Sequence, residues 1–202
     1  MSHDESRKHL LARVEVAVRG GFEDEDELLE GLEEWVEDEL GEANGALTAE
    51  LEAHARKLLQ EQRTLEANWR EPTLNDALDS AFEELNANGI VALENAGYTM
   101  SDGWADVNEV AGYQDTPPRG AVFYHGQDLE RGVAGEGLML AFGAYENDSA
   151  KHEAASLAIG REVCDTLLRH GVKTEWNGSV QARIRIPPFE WRKRRWTEVA
   201  RA

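Results

Sequence analysis

Leu10, Leu11, Val14 and Val18 recur at steps of one, three and four, as do Leu28, Leu29, Leu32, Trp35, Val36 and Leu40. A third row, Leu47, Leu51, Ala55, Leu58, Leu65 and Trp69, follows at near-helical steps. Apolar residues at this period lie along one side of an α-helix. The spacing therefore predicts three amphipathic helices, broken apart at Gly20-Gly21 and between Gly41 and Gly45. Their stripes are narrow and their other positions heavily charged, so they must bury against one another, the rest of the chain or another molecule.

Pro72 marks a boundary, giving an N-terminal part of residues 1–71 and a main domain of residues 72–202. Thr73 and Asp76 have capping-box spacing, and Leu74, Ala77, Leu78, Ala81, Phe82 and Leu85 keep a helical period until Asn88-Gly89. Ile90–Leu93 reads as a strand that runs into a glycine-punctuated loop from Asn95 to Trp104, with a short helix over 105–110. Two more apolar runs, Ala121–Tyr124 and Leu138–Phe142, read as buried strands. Between them Asp128 is placed to cap a short helix over 129–133. A long helix is expected from Asp148 or Ser149 to His170. Strands over 172–176 and 179–186, joined by Asn177-Gly178, carry the signal of a hairpin with a type I′ turn. The expected fold class is α+β: a mainly antiparallel sheet of about five strands with helices packed on one face, preceded by an acidic helical part.

Charge sharpens this division. Residues 1–71 carry 20 acidic and 8 basic side chains, and residues 20–55 hold 14 acids and no base. The last 20 residues reverse the sign, with 7 bases and 2 acids. Such a field repels nucleic acid and anionic membrane over most of the surface and draws basic partners in. A solvated acidic face that maintains solubility is the plainer reading of the same numbers. The run Trp191–Trp196 interleaves aromatic and cationic residues, a pattern that can stack on nucleic acid. In a chain of net charge -19 the expectation is instead pairing with acidic helices of its own or a neighbouring molecule, and salt-sensitive self-association. Cys164 is the single cysteine, which excludes an internal disulfide. With no apolar run near the roughly 18 residues of a membrane span and no leader pattern at the N-terminus, a cytoplasmic location is expected.

Three segments, NAGYTMSDGW (95–104), FYHGQDLER (123–131) and WNGSVQARIRI (176–186), taken together resemble a bacterial family catalogued as a domain of unknown function. The resemblance spans roughly residues 10–195 and implies a helical N-terminal part followed by an α/β part. It implies no activity. The matched positions are Asn95, Gly97, Tyr98, Ser101, Asp102, Gly103, His125, Gln127, Asp128, Leu129, Glu130 and Arg131.

The first two segments follow predicted strands, where binding groups are commonly placed. If those strands are neighbours, Asn95, Tyr98, Ser101, Asp102, His125, Gln127 and Asp128 would share a rim and form a candidate ligand site. His125 beside Asp102 or Asp128 would be an oriented base for Ser101 or a water, although the flanks of Ser101 are not those of a nucleophile elbow. Asp102, His125 and Asp128, with Asp106, would suit a hard divalent ion, without the spacing of any known metal motif. The competing reading makes the same residues caps, turns and satisfied histidines. Gly132–Gly137 fits neither phosphate-binding glycine pattern, and no cofactor is expected. Two functions stand at this stage. The first is a non-catalytic binding or regulatory protein whose acidic helices engage a basic protein partner; the second is a small hydrolase or a divalent-metal or ligand-binding domain using loops 95–102 and 125–128.

Overall fold

Each of the three N-terminal stripes turns toward the other two. In the computed structural model, which describes residues 3–70 and 72–196, the helices are α1 (His3–Gly20), α2 (Glu25–Leu40) and α3 (Gly45–Glu66). Leu10, Val14 and Val18 of α1 meet Leu28, Leu32 and Val36 of α2 and Leu47, Leu51, Ala55, Leu58 and Leu59 of α3 in one buried cluster. Local signals fix the helix ends. Asp24 and Glu27 form a reciprocal capping box before α2, and Asn44 accepts the Leu47 N–H before α3. Leu65 departs from its predicted row and stands exposed in the last turn of α3.

The chain divides into two compact units, Met1–Glu71 with Arg192–Ala202, and Pro72–Trp191. In the first unit the described end of the basic tail lies on the helices. The Arg195 N–H donates to Glu66 Oε1 (3.1 Å), and its guanidinium donates to the carbonyls of Ala17 (3.0 Å), Val18 (3.2 Å) and Glu23. Arg63 lies over the Trp196 ring at 4.6 Å, and Lys193 over Phe22 at 4.6 Å. Residues 197–202, the remainder of that predicted tail, lie outside the described residues.

The second unit begins with α4 (Leu74–Ala87), capped reciprocally by Thr73 and Asp76 as the spacing predicts. It continues through β1 (Ile90–Leu93), α5 (Met100–Gly112), β2 (Gly120–Phe123), α6 (Gly126–Val133), β3 (Leu138–Ala144), α7 (Ser149–Arg169) and β4 (Ile184–Ile186). The sheet has four strands in the order β1-β2-β3-β4 and is mixed. β1 and β2 are parallel, and the other two pairs are antiparallel. This corrects the expected sheet of about five mainly antiparallel strands. Two physical causes account for the difference. Parallel neighbours need a crossover, and α5 supplies it between β1 and β2. The predicted hairpin does not close, because its turn chemistry is spent differently: Asn177 Oδ1 accepts the Ser179 N–H (3.0 Å), and Asn95 is the only described non-glycine residue at positive φ. What remains of the hairpin is the Glu175–Arg185 bridge.

Helices also cover both faces, where one was expected. A methyl group on Gly120 would meet Ile159 of α7, and one on Gly143, the residue next to its cross-strand partner Ala144, would meet Trp104 of α5. Adjacent residues of a strand point to opposite faces, so α7 and α5 lie on opposite sides of the sheet. The α5 side is filled by Val91, Ala96, Val107, Ala121, Phe123 and Ala141.

The longest departure from sequence expectation is at 95–104. The chain turns at Asn95 (φ 50°) and Gly97 (φ 53°), and α5 then starts at Met100, some five residues earlier than expected. Thr99 and Asp102 make its capping box: Asp102 Oδ2 accepts the Thr99 N–H (2.9 Å) and hydroxyl (2.9 Å). The turn is tight enough that a Cβ on Gly97 would sit 2.3 Å from that of Asp102. Gly97→Ala is expected to cost more than about 3 kcal/mol, combining backbone strain with the clash. Gly171→Ala, at φ +84° but in open space, is expected to cost about 1 kcal/mol. Urea denaturation of the two variants checks the contrast.

Candidate functional site

β1 and β2 run in parallel, so their C-terminal ends deliver the two polar turns to the same edge of the sheet. The pairing continues past the strands. Ala96 N–H donates to the Tyr124 carbonyl (2.9 Å), Gly126 N–H to Gly97 (2.9 Å) and Gln127 N–H to Tyr98 (3.2 Å). Across this seam the Tyr98 hydroxyl donates to Glu130 Oε1 at 3.0 Å.

The predicted site residues part company within this edge. His125 and Asp128 are buried, with 4% and 1% of their surface exposed. Asn95 bends the turn, Tyr98 and Gln127 face solvent, and Ser101 is exposed in the first turn of α5 with no hydrogen bond to His125. Asp102 is committed to its cap. The Thr99 N–H and hydroxyl stabilise its carboxylate and hold its pKa below the usual value for aspartate. Among the described residues, no group of three or more His, Cys, Asp and Glu side chains is placed to hold a metal ion.

Asp128 does not cap a helix as its sequence position suggests. α6 starts at Gly126 with His125 at the N-cap position, and no side chain caps it. The Asp128 carboxylate turns inward instead and receives Arg183. Arg183 Nη1 donates to Asp128 Oδ2 at 2.7 Å and to the Met139 carbonyl at 3.3 Å. His125 Nε2 lies 3.1 Å from the same Oδ2. Nε2 is also 3.4 Å from Arg183 Nη1, and Nδ1 is buried without a hydrogen-bond partner. Burial, the largest influence, pushes the imidazole pKa below 6.5; Asp128 and Asp102 oppose the shift, and Arg183 adds to it. Beside this group, the buried Tyr124 hydroxyl donates to Glu94 Oε2 at 2.9 Å, and burial drives its pKa well above 10.

Arg183 was not among the residues singled out from the sequence, although it lies in the third segment, WNGSVQARIRI. There it reads as one of the solvated positions of an alternating strand. In the structure its side chain is 31% exposed and lines a groove of about 190 Å³ with Met100, Trp104, Ala141, Phe142 and Val180. The groove shares Trp104, Phe142, Val180 and Gln181 with a wider space of about 450 Å³ that reaches Ser149, His152, Glu153 and Ser156 near the start of α7. The two polar turns therefore meet along their backbone seam, and from the second of them Asp128 reaches Arg183 beside the groove.

The model of a family described as a domain of unknown function (DUF6891) matches residues 3–195, and the chain belongs to that family. No curated protein and no solved structure matches it. Among the described residues, no helix is long and apolar enough to cross a membrane.

The His125 environment fixes a pH dependence. Its folded pKa lies below the unfolded value near 6.5, so the stability held in the neutral imidazole is complete above pH 6.5 and is lost as pH falls toward the folded value. Between pH 7 and 5.5, unfolding free energy should fall by up to about 1.4 kcal/mol per pH unit. His125→Gln should flatten that slope, whatever its effect on absolute stability; denaturant titrations at several pH values measure it.

Proposed function

We propose that this member of a family with no assigned activity is a non-catalytic binding protein whose second unit holds a small molecule in the groove between α5, β3 and residues 180–183. The observation that carries the reading is the placement of a charged side chain at the inner end of that groove by a buried carboxylate. Arg183 is tethered to Asp128, which is 1% exposed. Concave sites with apolar walls and a few convergent polar groups are where small ligands commonly bind. Binding fits better than turnover because His125, the natural base, is buried beside Arg183, and Ser101 makes no hydrogen bond to it.

Val180 borders both parts of the groove and is half-buried, so Val180→Phe should fill it without disturbing the core. Ligand-observed NMR of the whole chain with a fragment collection should give hits that perturb the amides of Ala141, Phe142 and Gln181 and vanish in Val180→Phe. A collection that perturbs none of those amides would overturn the reading.

One observation favours a second reading for the first unit. Asp26, Glu30, Glu33, Glu34, Glu37 and Asp38 are exposed on α2 and make no ion pair among the described residues, while Arg195 is spent on Glu66 and backbone carbonyls. This row supports engagement of a basic protein partner, since complementary fields accelerate association. An arginine-rich peptide should lose more affinity to Glu30→Gln/Glu33→Gln/Glu37→Gln than to an equal neutralisation at Glu109, Glu136 and Asp165. Equal losses would reduce the row to general field.

A further inference from the structure

Toward the described residues, the guanidinium of Arg183 uses one nitrogen only. Nη1 donates to Asp128 Oδ2 and the Met139 carbonyl and lies 3.4 Å from His125 Nε2. Among the described residues Nε and Nη2 have no hydrogen-bond acceptor, and neither is a buried atom lacking a partner. An arginine held in this way presents its remaining edge, two parallel N–H groups, in the geometry that matches the two oxygens of a carboxylate. The entropy cost of fixing the side chain is already met by the tether.

The walls define what the anionic group must be attached to. Trp104 is held edge-on against Phe123 (centroids 5.1 Å apart, 85° between planes), and Phe142 is held in the same way by Trp176 (5.2 Å, 85°). Met100, Ala141 and Val180 complete an apolar lining. Resting on the groove reading above, we infer that the site takes a small monocarboxylate with a planar apolar body, its carboxylate bridged by Arg183 Nε and Nη2 and its body lodged against Trp104 and Phe142. Charge decides between anions. Asp128 already offsets the arginine, and the chain carries a formal net charge of -19, so a dianion meets twice the repulsion of a monoanion with no second cation to compensate. Recognition rests on the bidentate hydrogen bonds, and a phosphate ester is disfavoured.

The test uses the whole chain and four probes sharing one ring: phenylacetate, phenylacetamide, 2-phenylethylamine and phenyl phosphate, followed by NMR titration. Phenylacetate should bind at least about tenfold more tightly than the amide, a difference typical of a charge-assisted pair. It should also shift the Arg183 Nε–Hε resonance, which the amide leaves in place. Arg183→Lys keeps a cation for Asp128 but removes the fork, and should cost phenylacetate about tenfold while leaving the amide unchanged. The Nε–Hε shift in the unaltered protein decides the matter even if that variant unfolds. Equal binding of acid and amide, preference for the amine, or tighter binding of phenyl phosphate each overturns the carboxylate assignment while leaving the groove as a binding site. Failure of all four to perturb Ala141, Phe142 or Gln181 removes the carboxylate assignment, and a wider fragment collection then decides the fate of the groove itself.

Discussion

A carboxylate with 1% of its surface exposed cannot stay charged without a partner, and Asp128 has one in Arg183, 55 residues later in the chain. This ion pair is the constraint that the second unit depends on. It ties the start of α6 to the segment leading into β4, two elements that share no strand pairing. Removing the arginine would leave a buried charge uncompensated, a fault that costs on the order of 3 kcal/mol. Burial, more than the pair, holds the His125 pKa below 6.5; Arg183 adds to the shift and Asp128 and Asp102 oppose it. The edge that looked from its residue types like a catalytic cluster thus contains a buried, ion-paired anchor.

The seam between the two turns makes that anchor possible. Ala96, Gly126 and Gln127 extend the parallel ladder of β1 and β2 by backbone hydrogen bonds, so the N-termini of α5 and α6 start side by side. Gly103 lets α5 approach closely, since a Cβ there would fall 2.2 Å from the Phe123 ring. Much of what makes this stretch of sequence distinctive is accounted for by the demands of that approach. Thr99 and Asp102 start one helix, Gly97 and Gly103 make room, and Asp128 anchors the other helix.

Legibility followed the range over which each signal acts. Helical stripes and the Thr73–Asp76 cap were readable because period and capping are local, and Leu78, Phe82 and Leu85 are buried as their spacing requires. The start of α5 was readable in principle from Thr99-x-x-Asp102, but the glycines around it have the look of a loop. Strand partnership was not readable, because whether β2 joins β1 in parallel depends on packing beyond any window of sequence. Asn177-Gly178 misled for a similar reason: its hairpin preference is worth less than the bonds Trp176 Nε1 makes to the carbonyls of Ser179 and Ala182, both 3.1 Å. His125 and Asp128 were visible by type, while Arg183 became significant only once its partner was known.

The first unit is discontinuous along the chain: its helices come from the first 71 residues and its last described piece from residues 192–196. Arg195 answers Glu66, which is 9% exposed, and Trp196 packs against the edge of the three-helix cluster. On a ribosome, therefore, the three helices emerge well before the piece that completes their unit. The unit must wait, without the Arg195 N–H on Glu66 and with an apolar edge uncovered, until residues 192–196 have emerged, and a fragment cut at residue 71 would be held permanently at that waiting stage.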